Sequence, residues 1–350
     1  MSDGGCCRIP TLHKKCGDNE ILHTYTTDDE KADAFASIFF LPKLLSLPDT
    51  PDNAVPDPSP LPFHLPHIHQ IICRIDKTSA HKAPGNDGIP NIVLKRCVPL
   101  IAPILLTCLH AILRLQYFPQ WWREWTTVVI RKPGREDYTI PKAYQPIALY
   151  CTMGKIISGV MTDVMVHITV RHSLLPSKHF GGLPGKTTTD SLLYLVHRIK
   201  AAWRKRKVVT MVFLDIANAF PNVVTECLLR NMQRLGYPSE IVSFFKALLT
   251  DHSTRLKFDD FISAIIHIDN GIGQGEPGSM ILYLIYSADL VLIPQGLDED
   301  GGAYVDDNFI LAIGDTYEDC DTKINRMMDK QELWALSHNS QAEISKYQCL

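Results

Sequence analysis

"GGAYVDDNFILAI", residues 301–313, places two carboxylates, Asp306 and Asp307, inside an otherwise apolar run. Burying charge costs several kcal/mol unless the charge is paired or binds a metal. Asp-Asp occurs three times in the chain, at 28–29, 259–260 and 306–307, and such a pair is ordinarily a solvated turn. The third pair alone has strand-like residues on both sides. It therefore predicts a hairpin tip, with "AYV" and "FILAI" as its two strands.

A second acid ends an apolar run upstream. "VVTMVFLDIANAF" (208–220) predicts a buried, β-branched strand closing on Asp215, 91 residues before Asp306. Strands that each present an acid at one end can bring three carboxylates together. Such a cluster repels itself unless cations neutralise it. Hard divalent ions such as Mg²⁺ take oxygen ligands, usually one or two carboxylates plus substrate phosphates, and two ions about 4 Å apart suit in-line displacement at phosphorus. The competing reading of Asp215 alone is a helix N-cap after a strand. Between the acids lies "DNGIGQGEPGSMILYLIYSADL" (269–290), a glycine-rich loop entering an apolar helix. Its glycines allow close backbone approach to a ligand, and Gln274 offers an amide to a base or sugar; otherwise it is a connector.

The totals bound the class. With 350 residues, 45% hydrophobic, the chain can bury a sizeable core, and its net charge of -3 argues against a simple basic nucleic-acid-binding module. Ten cysteines without a CxxC pair read as reduced, mostly buried thiols of an intracellular protein. Cys6, Cys7, His13 and Cys16 fit no standard zinc spacing. No signal peptide is visible in the first ten residues. The run "VPLIAPILLTCLHAIL" (98–113) falls short of a membrane span and predicts a buried core helix.

Along the chain, residues 1–40 form a polar segment and a helix with Phe35, Ile38 and Phe39 on one face. Residues 41–67 are proline-rich, a linker, and from 68 the composition is globular. "WTTVVIRKPGR" (125–135) predicts a strand and a basic turn. Thr187 and Asp190 predict a cap on a helix through 187–207 that ends in basic residues Arg204 to Lys207. Helices and strands alternate without a regular βαβ rhythm, which favours α+β.

"FLDIANAF", "GIGQGEP" and "YVDD", in that order, resemble the A, B and C motifs of reverse transcriptases, and more specifically those of non-LTR (LINE-type) retrotransposons. "HKAPGNDGIPNIVLK", "YFPQWWREWTTVVIRKPG", "AYQPIAL", "HFGGLPGKTTTDSLLYLVHRI", "LKFDDFISAIIHIDNGIGQGEP" and "SHNSQAEISKYQ" extend the resemblance over about residues 28–350. The resemblance implies a right-hand polymerase fingers and palm, an antiparallel palm sheet backed by helices, and a chain cut before the thumb. Asp215, Asp306 and Asp307 match the catalytic acids, with the Ile216 carbonyl as a further metal ligand and two Mg²⁺ ions, or Mn²⁺, as cofactors. Phe220 matches the gate that rejects a ribose 2′-hydroxyl, Gln274 and Gly275 the nucleotide and template contacts, and Tyr304 the aromatic near the primer end. Lys132 falls in the strand facing the triphosphate, and Lys346 matches the lysine that assists pyrophosphate departure. The implied partners are an RNA template, a DNA primer, dNTP and other parts of a retrotransposon polyprotein, with no membrane. A nuclear site of action would suit an element primed at its target. Departures from the pattern are Gln145 and Leu183 where arginines are usual, and Gly273, Glu276, Gly278 and Met280 in the loop. Glu276 is expected to place a negative charge near the nucleotide phosphates. These departures support the alternative of a folded but inactive retroelement remnant. An unrelated binding protein with a calcium turn lacks the EF-hand loop it would need.

Overall fold

The computed structural model describes residues 8–15, 20–42, 58–343 and 346–350. Cys6, Cys7 and Cys16, and most of the proline-rich segment, lie outside the described residues. The chain divides into two compact units, each drawn from separated stretches of sequence. The first comprises Met1–Lys43, Leu65–Val160 and Ser243–Pro277; the second comprises Leu44–His64, Met161–Val242 and Gly278–Leu350.

The first unit is organised on a mixed sheet. Strand Glu124–Arg131 pairs antiparallel with Tyr144–Tyr150 and parallel with His252–Phe258, which also pairs with Phe261–Ile262 and Ile266–Ile268. Helix Asp28–Phe39 packs on it because Phe35 and Phe39, four residues apart, share one face. They are buried with Tyr144, Leu256 and Phe258, and Ile38 packs against the same cluster. The helix starts with a reciprocal cap. The Thr27 hydroxyl accepts the Glu30 N–H, and the Glu30 carboxylate accepts the N–H groups of Thr26 and Thr27. Those bonds pull the Glu30 carboxyl down to about 2.

The run at 98–113 differs from expectation. It lies within helix Val98–Leu115, but burial is one-sided: Ala102, Leu105, Leu109 and Ile112 face inward, while Leu100 is 74% and Ile104 62% exposed. Residues three and four apart stack on one helix face, so a helix apolar all round still buries only the stripe that meets a neighbour. Among the described residues, Val98–Leu115 and Thr152–Arg171 are long and apolar enough to cross a membrane by length and composition; the second is mostly buried within the protein.

The second unit holds a fully antiparallel sheet in the order Glu299–Tyr304, Asp307–Gly314, Val208–Leu214, Gln348–Cys349. Both faces are covered, which explains the continuous apolar sequence of its two central strands. Phe309, Leu311 and Ile313 pack with Met211 against Leu195 and Ala202 of helix Thr188–Arg204. Ile310 and Ala312, which alternate with them, are buried as well. The long helix Tyr317–Ser337 also packs on the two central strands. The outer edge of Glu299–Tyr304 is occupied by residues 178–180: Ala303 donates to the Lys178 carbonyl and Phe180 to the Ala303 carbonyl. The cap predicted at Thr187 and Asp190 is present in both directions.

Candidate active site

The register of the second unit's sheet assembles the acids. Leu214 pairs with Asn308, so Asp215 and Asp307 are the next residues on adjacent strands, at one end of the ladder. Neighbouring positions in that relation hold their Cβ atoms about 5 Å apart. Tyr304 pairs with Asp307, which leaves Val305 and Asp306 as a two-residue hairpin loop. Asp306 therefore sits in the turn beside the other two acids; the hairpin is where the flanking strands predicted it, but its turn takes in Val305 and leaves Asp307 as the first residue of the second strand.

The turn is strained. Val305 has φ 63°, while Asp306 has no positive φ. A positive φ at the first loop residue is the type II′ form, where glycine is preferred. A β-branched residue there costs on the order of 1–3 kcal/mol. Packing holds it in place: Val305 is buried, and Gly181 lies so close that an added Cβ would fall 2.6 Å from the Val305 Cγ2. The glycine of "HFGG" is thus a seat for the hairpin tip.

The acids affect one another. Burial raises the Asp306 carboxyl above the usual range, and the charges of Asp307 and Asp215 push it further in the same direction. Asp307 is raised by burial and by Asp215. Against this stands Lys346, whose Nζ lies 2.5 Å from Asp215 Oδ2 and donates to it. The segment bearing Lys346 is tied to the acid strand, since Glu343 N–H donates to the Asp215 carbonyl and Ile216–Ala217 pairs with Gln341–Ala342.

Behind the acids lies a residue that sequence reading passed over. Tyr283, inside the apolar helix Ser279–Tyr286, is 1% exposed, and among the described residues its hydroxyl has no hydrogen-bond partner. Burial raises that hydroxyl well above its ordinary value, and the charges of Asp306 and Asp215 add to the shift. Half-buried Phe220 stacks on the same ring, with centroids 5.0 Å apart. The available signal was a tyrosine in an aliphatic helix, where a phenol needs a polar neighbour.

The donor chemistry fits a hard divalent cation: three carboxylates at one sheet end, two of them raised by burial and mutual repulsion, beside an orphaned buried hydroxyl. Among the described residues, no three His, Cys, Asp or Glu side chains converge tightly enough to hold an ion as they stand. With Lys346 on Asp215, a cation would have to take that oxygen from the ammonium.

The remaining predicted residues belong to the first unit or to the rim of the sheet. Tyr304 closes the outer hairpin strand. Lys132 follows strand Glu124–Arg131 and donates its N–H to Ala143. The Gln274 carbonyl accepts the Ala148 N–H, leaving its side chain exposed. Gly275, at φ 122°, lies where a Cβ would meet the Ala148 carbonyl oxygen at 2.5 Å. The close approach allowed by that glycine is to strand Tyr144–Tyr150 of the protein itself. Glu276 also departs from expectation: its side chain is buried and accepts the Ser158 hydroxyl, so its charge is held in the interior of the first unit.

Residues 130–350 match the reverse transcriptase (RNA-dependent DNA polymerase) family. The chain is 31% identical over 231 residues to a probable RNA-directed DNA polymerase from transposon X-element of Drosophila melanogaster, covering 65% of this chain and 25% of that protein. It is 27% identical over 237 residues to the probable RNA-directed DNA polymerase from transposon BS of the same species, covering 66% and 26%. Against the RNA-directed DNA polymerase from mobile element jockey of Drosophila funebris it is 24% identical over 341 residues, covering 96% and 36%. The chain therefore spans about a quarter to a third of the length of these relatives. Among solved structures, an apo telomerase from Candida tropicalis, truncated from its C-terminal domain, aligns with a TM-score of 0.49 and 12% identity, over 67% of this chain and 51% of that one.

Proposed function

From the premise that this chain belongs to the reverse transcriptase (RNA-dependent DNA polymerase) family, we propose that its second unit carries the transfer centre of a LINE-type element. There a deoxynucleoside triphosphate is joined to a primer 3′-hydroxyl at Asp215, Asp306 and Asp307. The LINE-type resemblance itself is borne out, since the relatives are polymerases of transposons and mobile elements. The observation that supports the site most strongly is the register, which sets Asp215 beside Asp307 with Asp306 in the adjoining turn.

Each residue then has a physical task. The three carboxylates would be the oxygen donors for divalent cations, Mg²⁺ or Mn²⁺, with the Ile216 carbonyl as a further donor. When bound, such cations lower the pKa of an attacking hydroxyl and screen the phosphates from the acids. Lys346 carries a proton at Nζ that departing pyrophosphate can take up, and its contact with Asp215 keeps it beside the reacting groups. Phe220, braced by Tyr283, is the wall against a ribose 2′-hydroxyl, which would clash with the ring and lose its water without a partner. Tyr304 lies at the primer side of the hairpin. Lys132, Gln274 and Gly275 are assigned to the nucleotide and template on the motif match. The partners are an RNA template, a DNA primer and dNTP, with the chain working as part of a larger transposon-encoded protein.

The second reading, a folded but inactive remnant, draws on Gln145, which cannot make the bidentate phosphate contact of an arginine. The discriminating experiment is primer extension on an RNA template with dNTP and either Mg²⁺ or Mn²⁺, comparing the wild-type chain with Asp307→Asn. Cation-dependent incorporation that the variant loses supports catalysis. Absence of incorporation by a wild-type chain that still binds primer–template supports the remnant.

A further inference from the structure

We propose that the C-terminal end of helix Thr188–Arg204 is a second nucleic-acid contact, one that holds a single strand by stacking on Trp203 and by phosphate contacts to Arg204, Lys205 and Arg206. The residues are consecutive and all four are exposed, Trp203 by 63%. Among the described residues, none of the three cations has an ion-pair partner, although their neighbours do: Arg198 meets Asp300 at 2.5 Å and Lys207 meets Asp315 at 2.6 Å. A chain of net charge -3 thus keeps a local, uncompensated excess of positive charge.

Cations at a helix C-terminus are favoured by the dipole, so charge alone would be a solvated helix end. Two features exceed that explanation. The first is the indole, a large apolar ring left in water directly beside the cations. A stackable ring flanked by unpaired cations is the composition that binds single strands without sequence preference, each base laid on an aromatic face and the backbone held electrostatically. The second is the backbone of the cap. Arg206 N–H donates to the Trp203 carbonyl and Lys207 N–H to the Ala202 carbonyl, with Arg206 at φ 58°. This is the Schellman arrangement, whose left-handed position is usually glycine because a Cβ is strained there. An arginine in that position trades helix-end stability for a third cation in the cluster.

The patch is separate from the carboxylate site. Lys207 leads directly into strand Val208–Leu214, and Asp215 follows at its far end. Seven strand residues span roughly 23 Å at the usual rise per residue. A strand of nucleic acid held here would touch the second unit well away from the reacting groups. The nearby acids Asp315 and Asp298 act on Lys207, which limits the patch to Trp203 through Arg206.

The test is fluorescence anisotropy with labelled oligo-dT and oligo-U, on the whole chain and without divalent cation, so that the carboxylate site is not loaded. Trp203→Ala should weaken binding by about 5- to 160-fold. Arg204→Ala with Lys205→Ala should reduce the log–log salt slope by about 1.4. Arg206→Gly separates the two roles of that residue: it should raise the melting temperature, by relieving the left-handed arginine, and still lower affinity. A preference for oligo-U over oligo-dT would identify RNA as the occupant; equal binding identifies any single strand. Affinities and salt slopes unchanged in all three variants would overturn the proposal. So would equal binding of dextran sulfate with no effect of Trp203→Ala, which would reduce the patch to simple charge. A dimer that Trp203→Ala converts to monomer would also overturn it, by assigning the indole to a second copy of the chain. None of these outcomes depends on whether the chain polymerises.

Discussion

Replacing Lys346 with methionine should tighten divalent-cation binding at the carboxylate site. In the structure the ammonium lies 2.5 Å from Asp215 Oδ2, on the oxygen a cation would need. The lysine side chain is 55% exposed and that of Asp215 20%, so solvent screens the pair chiefly from the lysine side. Half-exposed pairs of this kind contribute about 0.2–1 kcal/mol. If a cation must displace the ammonium, its binding is weakened by that amount, and removing the lysine should recover about 1.4- to 5-fold in affinity. Methionine keeps much of the aliphatic stem and drops only the charge. The assay is calorimetric titration of Mn²⁺ into wild type and Lys346→Met without nucleotide. Unchanged or weaker Mn²⁺ binding in the variant would show that the ammonium does not compete with a cation for Asp215. If Lys346 also protonates pyrophosphate, the same variant should lose turnover while it gains cation affinity.

Asp306→Asn should stabilise the cation-free protein at neutral pH. The folded carboxyl is raised, so its favourable contribution is complete below the unfolded value near pH 4 and is lost as pH rises through the folded value. A rise in melting temperature of about 1–3 °C at pH 7 is expected, absent at pH 3; a loss of stability at pH 7 would assign Asp306 a structural role. Phe220→Ala should raise ribonucleotide incorporation relative to deoxyribonucleotide, and an unchanged ratio would remove the gate. Buried His179 and His252 are both held down to about 4, chiefly by burial. They remain neutral in the fold while the unfolded chain binds protons. Stability should therefore fall as pH drops from about 6.5 toward 4, by up to roughly 3 kcal/mol for each histidine. Urea unfolding of His179→Gln and His252→Gln should show correspondingly flatter pH dependence over that range.

The parts legible in the sequence were those written in local order. Alternation and flanking apolar residues located the Asp306–Asp307 hairpin and the strand ending at Asp215, and an acid three residues after a threonine located the cap at Thr187 and Asp190. The α+β class followed from the same periodicities. What the sequence could not show was direction and distant partnership. The helix at 98–115 is apolar on every side, so composition could not tell which stripe meets a neighbour. Glu276 was expected beside phosphates, yet its partner Ser158 lies 118 residues away in sequence, and only the packed fold turns the carboxylate inward. At Gly275 the glycine loop comes close to the Ala148 carbonyl, a partner more than 120 residues away that the loop's composition could not name. Val305 gave no sign of its positive φ, because valine is what a strand pattern would contain. Tyr283 was hidden for a similar reason: in an apolar helix it counts as core until its hydroxyl is seen to lack a partner.

If Asp215, Asp306 and Asp307 jointly hold the cations for nucleotidyl transfer, an ion bound there lies within reach of both segments that carry them. Metal-directed cleavage tests it most directly: the protein is loaded with Fe²⁺, exposed to peroxide and ascorbate, and its cut sites are mapped. Two clusters of cuts are expected, around Asp215 and around Tyr304 to Asp307, both suppressed by excess Mg²⁺ and absent from Asp306→Asn. Cuts confined to other segments, or cuts at these two segments that persist undiminished in Asp306→Asn, would contradict that expectation.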